Sequence, residues 1–195
     1  GFTILETIFL LFGGLSLYDA VTVSFSTLSA AGFCVKNTSI GSFNSAYVEI
    51  VVIVFMIIAG ANFALYYKAF TGKVRDALKD SELRWYVAIL LLLSVPGAFH
   101  LMTEGTYASF GLALRKMMFH VVSIVTTTGF ATADYTLWPT FPVMFLFMAC
   151  FIGGCAGSAG GGIKVVRISV VCKSGLNVMK KRIHPSSVVQ LRDNA

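Results

Sequence analysis

The sequence predicts an all-α polytopic membrane protein built from two tandem units, and three observations carry that prediction. Of 195 residues, 56% are hydrophobic and 12% charged, with a mean hydropathy of +0.80. An ordinary soluble domain carries about 25% charged residues. The chain also repeats itself at an offset of 97 residues without an insertion. Finally, an apolar segment is broken by six glycines within residues 153–162.

Residues 4–17 form a short apolar segment that carries Glu6. They are expected to be a truncated first helix, because the chain begins with Gly1 rather than Met and reads as part of something longer. No basic stretch precedes them, which argues against a signal peptide. Residues 46–67 hold one charge, Glu49, in 22 positions, and residues 85–103 hold none in 19 unless His100 is protonated. Both reach the roughly 20 residues that a membrane-spanning helix needs. Residues 138–152 are apolar for 15 positions and span only if the helix resumes beyond the glycines, through 163–171.

Charge orients these segments. Twelve of the fifteen basic residues lie within 68–84 or from Lys164 onward; the others are Lys36, Arg115 and Lys116. Basic residues flanking spans face the cytoplasm, so the linker 68–84 and a tail 173–195 are expected there, with 18–45 and 104–137 outside. Topology thus accounts for the net charge of +6 without a nucleic-acid partner. Cys34, Cys150, Cys155 and Cys172 show no paired or metal-ligand spacing. Asn37-Thr38-Ser39 matches a glycosylation sequon.

The repeat sets SLYDAVTVSFSTLSAAGF (16–33) over ALRKMMFHVVSIVTTTGF (113–130). Ser26 falls on Ser123, Gly32-Phe33 on Gly129-Phe130, and Ala59-Gly60 on Ala156-Gly157. Such symmetry outranks any single motif. The units are expected to be residues 1–67 and 85–172. In each, an outgoing helix is followed by a short helix (19–28 or 115–125), a small-residue turn and an inbound helix. About 10 helical residues cover about 15 Å, too little to cross a bilayer. The short helix must therefore enter and leave by the outer face, which makes a tandem helix–pore loop–helix repeat of an ion-channel-like fold.

In SAAGF (29–33) and TTTGF (126–130) the side chains are small, and glycine admits positive φ. Such a backbone can turn carbonyls inward to replace an ion's hydration shell. The carboxyl end of each short helix favours a cation at the membrane centre. Neither loop contains an acidic residue, so a large, weakly hydrated monovalent ion is favoured over a divalent one. The competing reading of Gly-Phe is a packing turn; two loops in register favour the pore.

The run CFIGGCAGSAGGGIKVVR (150–167) admits further readings. A phosphate loop fails, because Lys164 is followed by Val165 and no strand pattern precedes the run. Gly153, Gly157 and Gly161 have the spacing of a helix-packing face, whereas three glycines in succession at 160–162 suit a deliberate break. No nucleophile–base or metal constellation points to an enzyme. His120 reads as a packed or hydrogen-bonded residue. Glu49 lies near the outer end of its helix, where it is a candidate for the vestibule.

STLSAAGF, SIVTTTGFATADYTLWP, FIGGCAGSAGGGIKVVR and RIHPSSVV (182–189) together resemble the Trk/Ktr/HKT superfamily of potassium transporters, in its bacterial TrkH type. The resemblance covers essentially the whole chain. It implies potassium uptake through four such units around one pore, of which this chain holds the second and third. It makes Ala30, Ala31 and Gly32, with Thr127, Thr128 and Gly129, the filter whose backbone carbonyls bind K⁺, the one metal ion and ligand, with no covalent cofactor. Ala31 departs from the glycine that relatives often carry there. The resemblance makes Gly153, Gly154, Gly157, Ser158, Gly160, Gly161 and Gly162 an intramembrane gating loop, whereas its counterpart at 57–67 is expected to be a plain helix. Lys164 and Arg167 are then inner-face anchors, or charges that oppose cations when the gate is shut. The family context further implies a homodimer in the bacterial cytoplasmic (inner) membrane, a cytosolic nucleotide-binding regulatory ring, and open questions of symport and of K⁺ over Na⁺. A Na⁺-permeable member and a non-conducting membrane scaffold are the alternatives.

Overall fold

A computed structural model of the chain describes residues 1–72 and 80–183; 73–79 in the expected linker and 184–195 in the expected tail lie outside the described residues. Among the described residues there is no strand, and the helices follow the repeat. The first unit holds α1 (Phe2–Phe12), α2 (Leu17–Leu28), α3 (Ala46–Gly60) and α4 (Phe63–Phe70). The second holds α5 (Ser81–Thr103), α6 (Phe110–Val125), α7 (Thr140–Phe151) and α8 (Val165–Ile183). Short 3-10 turns at Ser39–Phe43 and Tyr135–Leu137 lie on the returning limb of each unit.

Polar side chains set the starts of these helices. The Ser16 hydroxyl accepts the N–H of Asp19 (3.1 Å), and the Ser109 hydroxyl accepts that of Leu112 (3.3 Å), so each short helix opens on a serine cap. The Ser109 cap lengthens α6 to 16 residues, beyond the expected 115–125. Asp80 Oδ1 accepts from the N–H groups of Glu82 (2.8 Å) and Leu83 (3.3 Å), which starts α5 at Ser81, inside the expected linker. Among the described residues, α5 alone is long and apolar enough to cross a membrane by itself. It runs through Pro96, and at the neighbouring Gly97 an added Cβ would collide with Met117 of α6.

The segment 46–67, expected as a plain helix, is broken. Helix α3 stops at Gly60, Ala61 is extended, and the Asn62 side chain accepts from Ala64 N–H (2.9 Å) to start α4. Carbonyls freed by the break are taken up locally and by the second unit. Tyr66 Oη donates to Ile58 O (2.6 Å), Cys155 N–H to Gly60 O (2.9 Å) and Ala159 N–H to Ala59 O (3.3 Å). This is how a membrane-depth break satisfies its backbone. Both inbound helices are therefore interrupted, the second over a longer loop, 152–164. Helix α8 likewise runs past the expected unit boundary at 172.

The units meet where α3 packs on α6. Met56, Tyr86, Leu90, Leu101, Met117 and Phe119 are fully or almost fully buried. Phe12, Leu92, Phe99 and Phe147 are exposed, and large apolar surfaces of this kind mark contact with a bilayer or with further protein.

Candidate functional site

The two re-entrant helices end in the same backbone geometry. After α2, Ala30 has φ 54° and Gly32 φ 73°; after α6, Thr127 has φ 58° and Gly129 φ 84°. The four positions match at the 97-residue offset. The left-handed region is rare for alanine and a marked exception for a β-branched threonine, and such outliers persist only where the surroundings impose them.

Hydrogen bonding explains the imposition. The N–H groups of Ala30 and Ala31 turn back to Thr27 O (3.2 Å) and Ser26 O (3.0 Å). Those of Thr127 and Thr128 turn back to Ile124 O (2.9 Å) and Ser123 O (2.8 Å). Among the described residues, nothing donates to the carbonyls of Ala30, Ala31, Gly32, Thr127, Thr128 or Gly129. The expected filter residues thus share one arrangement, with donors consumed by the helix end and acceptors free.

Hydroxyls brace the second loop. Thr126 Oγ1 donates to Val122 O (2.8 Å) and shares a bond with Thr128 Oγ1 (2.8 Å), while Ser123 Oγ donates to Phe130 O (2.7 Å). Ser123, Thr126 and the Thr128 side chain are buried, and sequence reasoning assigned them no bracing role. Their signal is the run of hydroxyl residues at a helix end. In the first loop Ala31 replaces one of the paired hydroxyls, and the Ser26 hydroxyl is buried without a partner.

The glycine-rich segment is a loop, so the continuous helix-packing face does not form: α7 ends at Phe151 and α8 begins at Val165. The loop closes on itself through Gly153 N–H to Ile163 O (2.9 Å) and Val165 N–H to Gly154 O (3.2 Å). At Gly153 a Cβ would fall on the carbonyl oxygen of Gly161, so no other residue fits the crossing. The far side of the loop reaches the turn after α6. Gly161 N–H donates to Thr127 Oγ1 (2.9 Å), and a Cβ on Gly160 would come within 2.8 Å of Thr126 O. Among the other expected loop residues, Gly154 lies against Gly60 O, Gly157 (φ 72°) accepts from Phe63 N–H (3.4 Å), Ser158 Oγ donates to Cys155 O (2.7 Å) and Gly162 has φ 76°.

The two flanking cations separate. The Lys164 ammonium folds back to donate to Gly160 O, whereas the Arg167 side chain is exposed on α8. Lys164 thus makes a contact within the loop that Arg167 does not share.

Glu49 is buried between the units rather than open to a vestibule. Lys116 Nζ donates to Glu49 Oε1 (2.6 Å) and to Thr132 O (3.2 Å), and Arg115 Nε lies 2.9 Å from Oε2 as an ion pair. His120 is a packed residue, with Nδ1 2.9 Å from Lys116 O and Nε2 3.1 Å from Ala133 O. Asn37, Thr38, Ser39, Gly41, Ser42 and Asn44 line a cavity of about 620 Å³ together with residues 131–136. There the Thr136 hydroxyl and N–H hold the Asp134 carboxyl below its ordinary pKa. No cluster of three His, Cys, Asp or Glu suited to a metal occurs among the described residues.

Comparison with known proteins bears on the whole arrangement. A family model described as TrkH, cation transport protein, matches residues 9–193. The Trk system potassium uptake protein TrkH of Escherichia coli K12 is 34% identical over 182 residues, covering 93% of this chain and 38% of the relative. The TrkH protein of Halomonas elongata is 37% identical over 180 residues, covering 92% and 37%. The crystal structure of the potassium transporter TrkH from Vibrio parahaemolyticus superposes on all of this chain and on 42% of that one, with a TM-score of 0.92 at 34% identity. The chain thus spans well under half the length of these relatives.

Proposed function

Because the chain belongs to the TrkH family of cation transport proteins, we propose that it forms two adjoining pore units of a potassium uptake transporter. K⁺ would shed water against the carbonyls of Ala30, Ala31 and Gly32 on one side and of Thr127, Thr128 and Gly129 on the next. Units outside this chain would complete the ring. The observation that carries this reading is the shared arrangement of the two loops: free carbonyls in register, beside N–H groups drawn back into helix ends. Carbonyl dipoles without a carboxylate replace the shell of a monovalent ion and leave a divalent one poorly compensated.

The glycine-rich loop is the gate in this reading. It lies against Thr126 and Thr127, beneath the filter, and must leave that seat for ions to pass. Lys164, bound to Gly160 O, adds a positive charge to the seated loop, and Arg167 stands farther out on α8. The relatives' names specify potassium uptake, and the membrane setting here is the bacterial cytoplasmic membrane. The linker 68–84 and the basic tail face the cytoplasm, where a nucleotide-binding ring would act on the inner end of α8. A second copy of the transporter completes a homodimer.

Rubidium flux into liposomes carrying the full-length protein tests the reading. K⁺ competes with rubidium and Na⁺ does not; equal competition by Na⁺ overturns the selectivity, and no flux from a folded protein leaves a scaffold. Deleting one residue within 160–162 raises resting flux, and unchanged flux overturns the gate.

A further inference from the structure

Five hydrogen bonds seat the glycine-rich loop against the remainder of the described chain, and four of them join neutral groups. Cys155 and Ala159 donate N–H bonds to carbonyls of α3, Gly157 accepts from Phe63 N–H, and Gly161 donates to the Thr127 hydroxyl. The fifth is different in kind. Ala156 N–H donates to Oε1 of Glu82, a carboxylate 74 positions earlier in the chain. Glu82 lies in the first turn of α5, and its own N–H is fixed by the Asp80 cap (2.8 Å). A hydrogen bond to an ionised acceptor is roughly twice as strong as a neutral one. Among the described residues, Glu82 is the one acidic side chain that bonds the loop.

The position matters as much as the strength. Ala156 follows Cys155, which is fully buried and whose N–H holds the end of α3. Asp80 and Glu82 stand where the chain enters α5 from the expected cytoplasmic linker. A displacement of that helix end by the length of one hydrogen bond would strip the loop of its charged contact while leaving the neutral ones. We propose that Glu82 is a latch: its carboxylate holds the glycine-rich loop in the seated position, and the inner end of α5 releases it. This deepens the gating reading above and rests on it. Glu82 acts on the loop and is a positioning residue; it touches no ion.

Two measurements on the full-length transporter in liposomes test the latch. In a background in which Cys155 is the one cysteine kept in the full-length protein, its labelling by a thiol reagent reports how often the loop leaves its seat. Glu82→Leu is expected to speed labelling roughly tenfold, the factor that one hydrogen bond to a charged group is worth. Glu82→Gln, whose amide oxygen still accepts from Ala156, is expected to restore most of the protection. Resting rubidium flux should rise in the same order, and Glu82→Leu should add nothing once the loop has been shortened. Labelling at the wild-type rate in Glu82→Leu overturns the latch whatever the flux does. A flux gain that persists in full on the shortened loop also overturns it, since Glu82 would then act elsewhere. Unchanged flux on shortening the loop overturns the gate instead, whatever the labelling shows. Should the leucine variant not fold, Glu82→Ala takes its place: faster labelling than in wild type supports the latch and equal labelling overturns it.

Discussion

Gly32 of the first unit faces the carbonyl of Thr128 in the second so closely that a Cβ on Gly32 would fall on that oxygen. The two loops proposed as filter are therefore one packed object. Gly32→Ala meets two penalties at once. A left-handed alanine costs about 1–2 kcal/mol, and the methyl must displace the Thr128 backbone. Rubidium flux should fall by about tenfold or more, with K⁺ and Na⁺ discrimination weakened. Gly129→Ala makes the comparison, because φ there is also positive (84°) but nothing stands within 4 Å of the added carbon. A larger loss at Gly129 than at Gly32 would contradict the packing account.

The join between units also rests on charge. Glu49 is buried and answers both Lys116 and Arg115. Glu49→Ala leaves two cations without a counter-charge, and removing one side of a buried pair costs about 3 kcal/mol or more. Thermal unfolding in detergent should show a clear loss for Glu49→Ala. Lys116→Met should cost less, because Arg115 still faces the carboxylate. Equal stability of wild type and Glu49→Ala would show that the pair carries no net weight.

What could be read from the sequence follows from what repeats and hydropathy encode. The 97-residue offset placed both loops, because Gly-Phe recurs at the same distance from an apolar helix. The positive φ at Ala30 and Thr127 was not legible, since neither residue type favours it; the helix ends impose it by consuming the neighbouring N–H groups. The break in 46–67 was hidden because IIAGANFALYY is apolar almost throughout, and hydropathy does not register where a backbone finds its partners. Asn62 was the local signal, as a cap in mid-segment. Lys164 and Glu82 read as a flanking charge and a linker residue until folding carried them to Gly160 and Ala156.

In the proposed function Thr127 would serve the filter with its carbonyl, while its hydroxyl accepts from Gly161 N–H of the loop. The two roles separate by substitution. Thr127→Ser keeps the acceptor and should leave resting flux close to that of wild type. Thr127→Val keeps the shape and loses the bond, worth about 1 kcal/mol, so resting flux should rise several-fold without a change in ion preference. A valine variant that loses selectivity while the serine variant keeps it would assign the hydroxyl to the filter instead of the loop.

The two cations at the end of the loop give the sharpest contrast, because they stand three residues apart, Lys164 as the last loop residue and Arg167 on α8. A simple inner-face anchor needs only a charge near the membrane surface, and either residue would do. The Lys164 ammonium bonds Gly160 O, one residue from the glycine that meets Thr127, whereas Arg167 is exposed on α8. Lys164→Met should therefore release the loop and raise resting flux roughly tenfold, the weight of a charged hydrogen bond. Arg167→Met should leave flux within about twofold of wild type, as expected of an exposed substitution away from special contacts. Lys164→Arg keeps the charge but changes the geometry, and should fall between the two. Rubidium efflux from preloaded liposomes measures all three. Equal effects at Lys164 and Arg167 would favour the anchor reading, since surface charge alone does not distinguish the two positions.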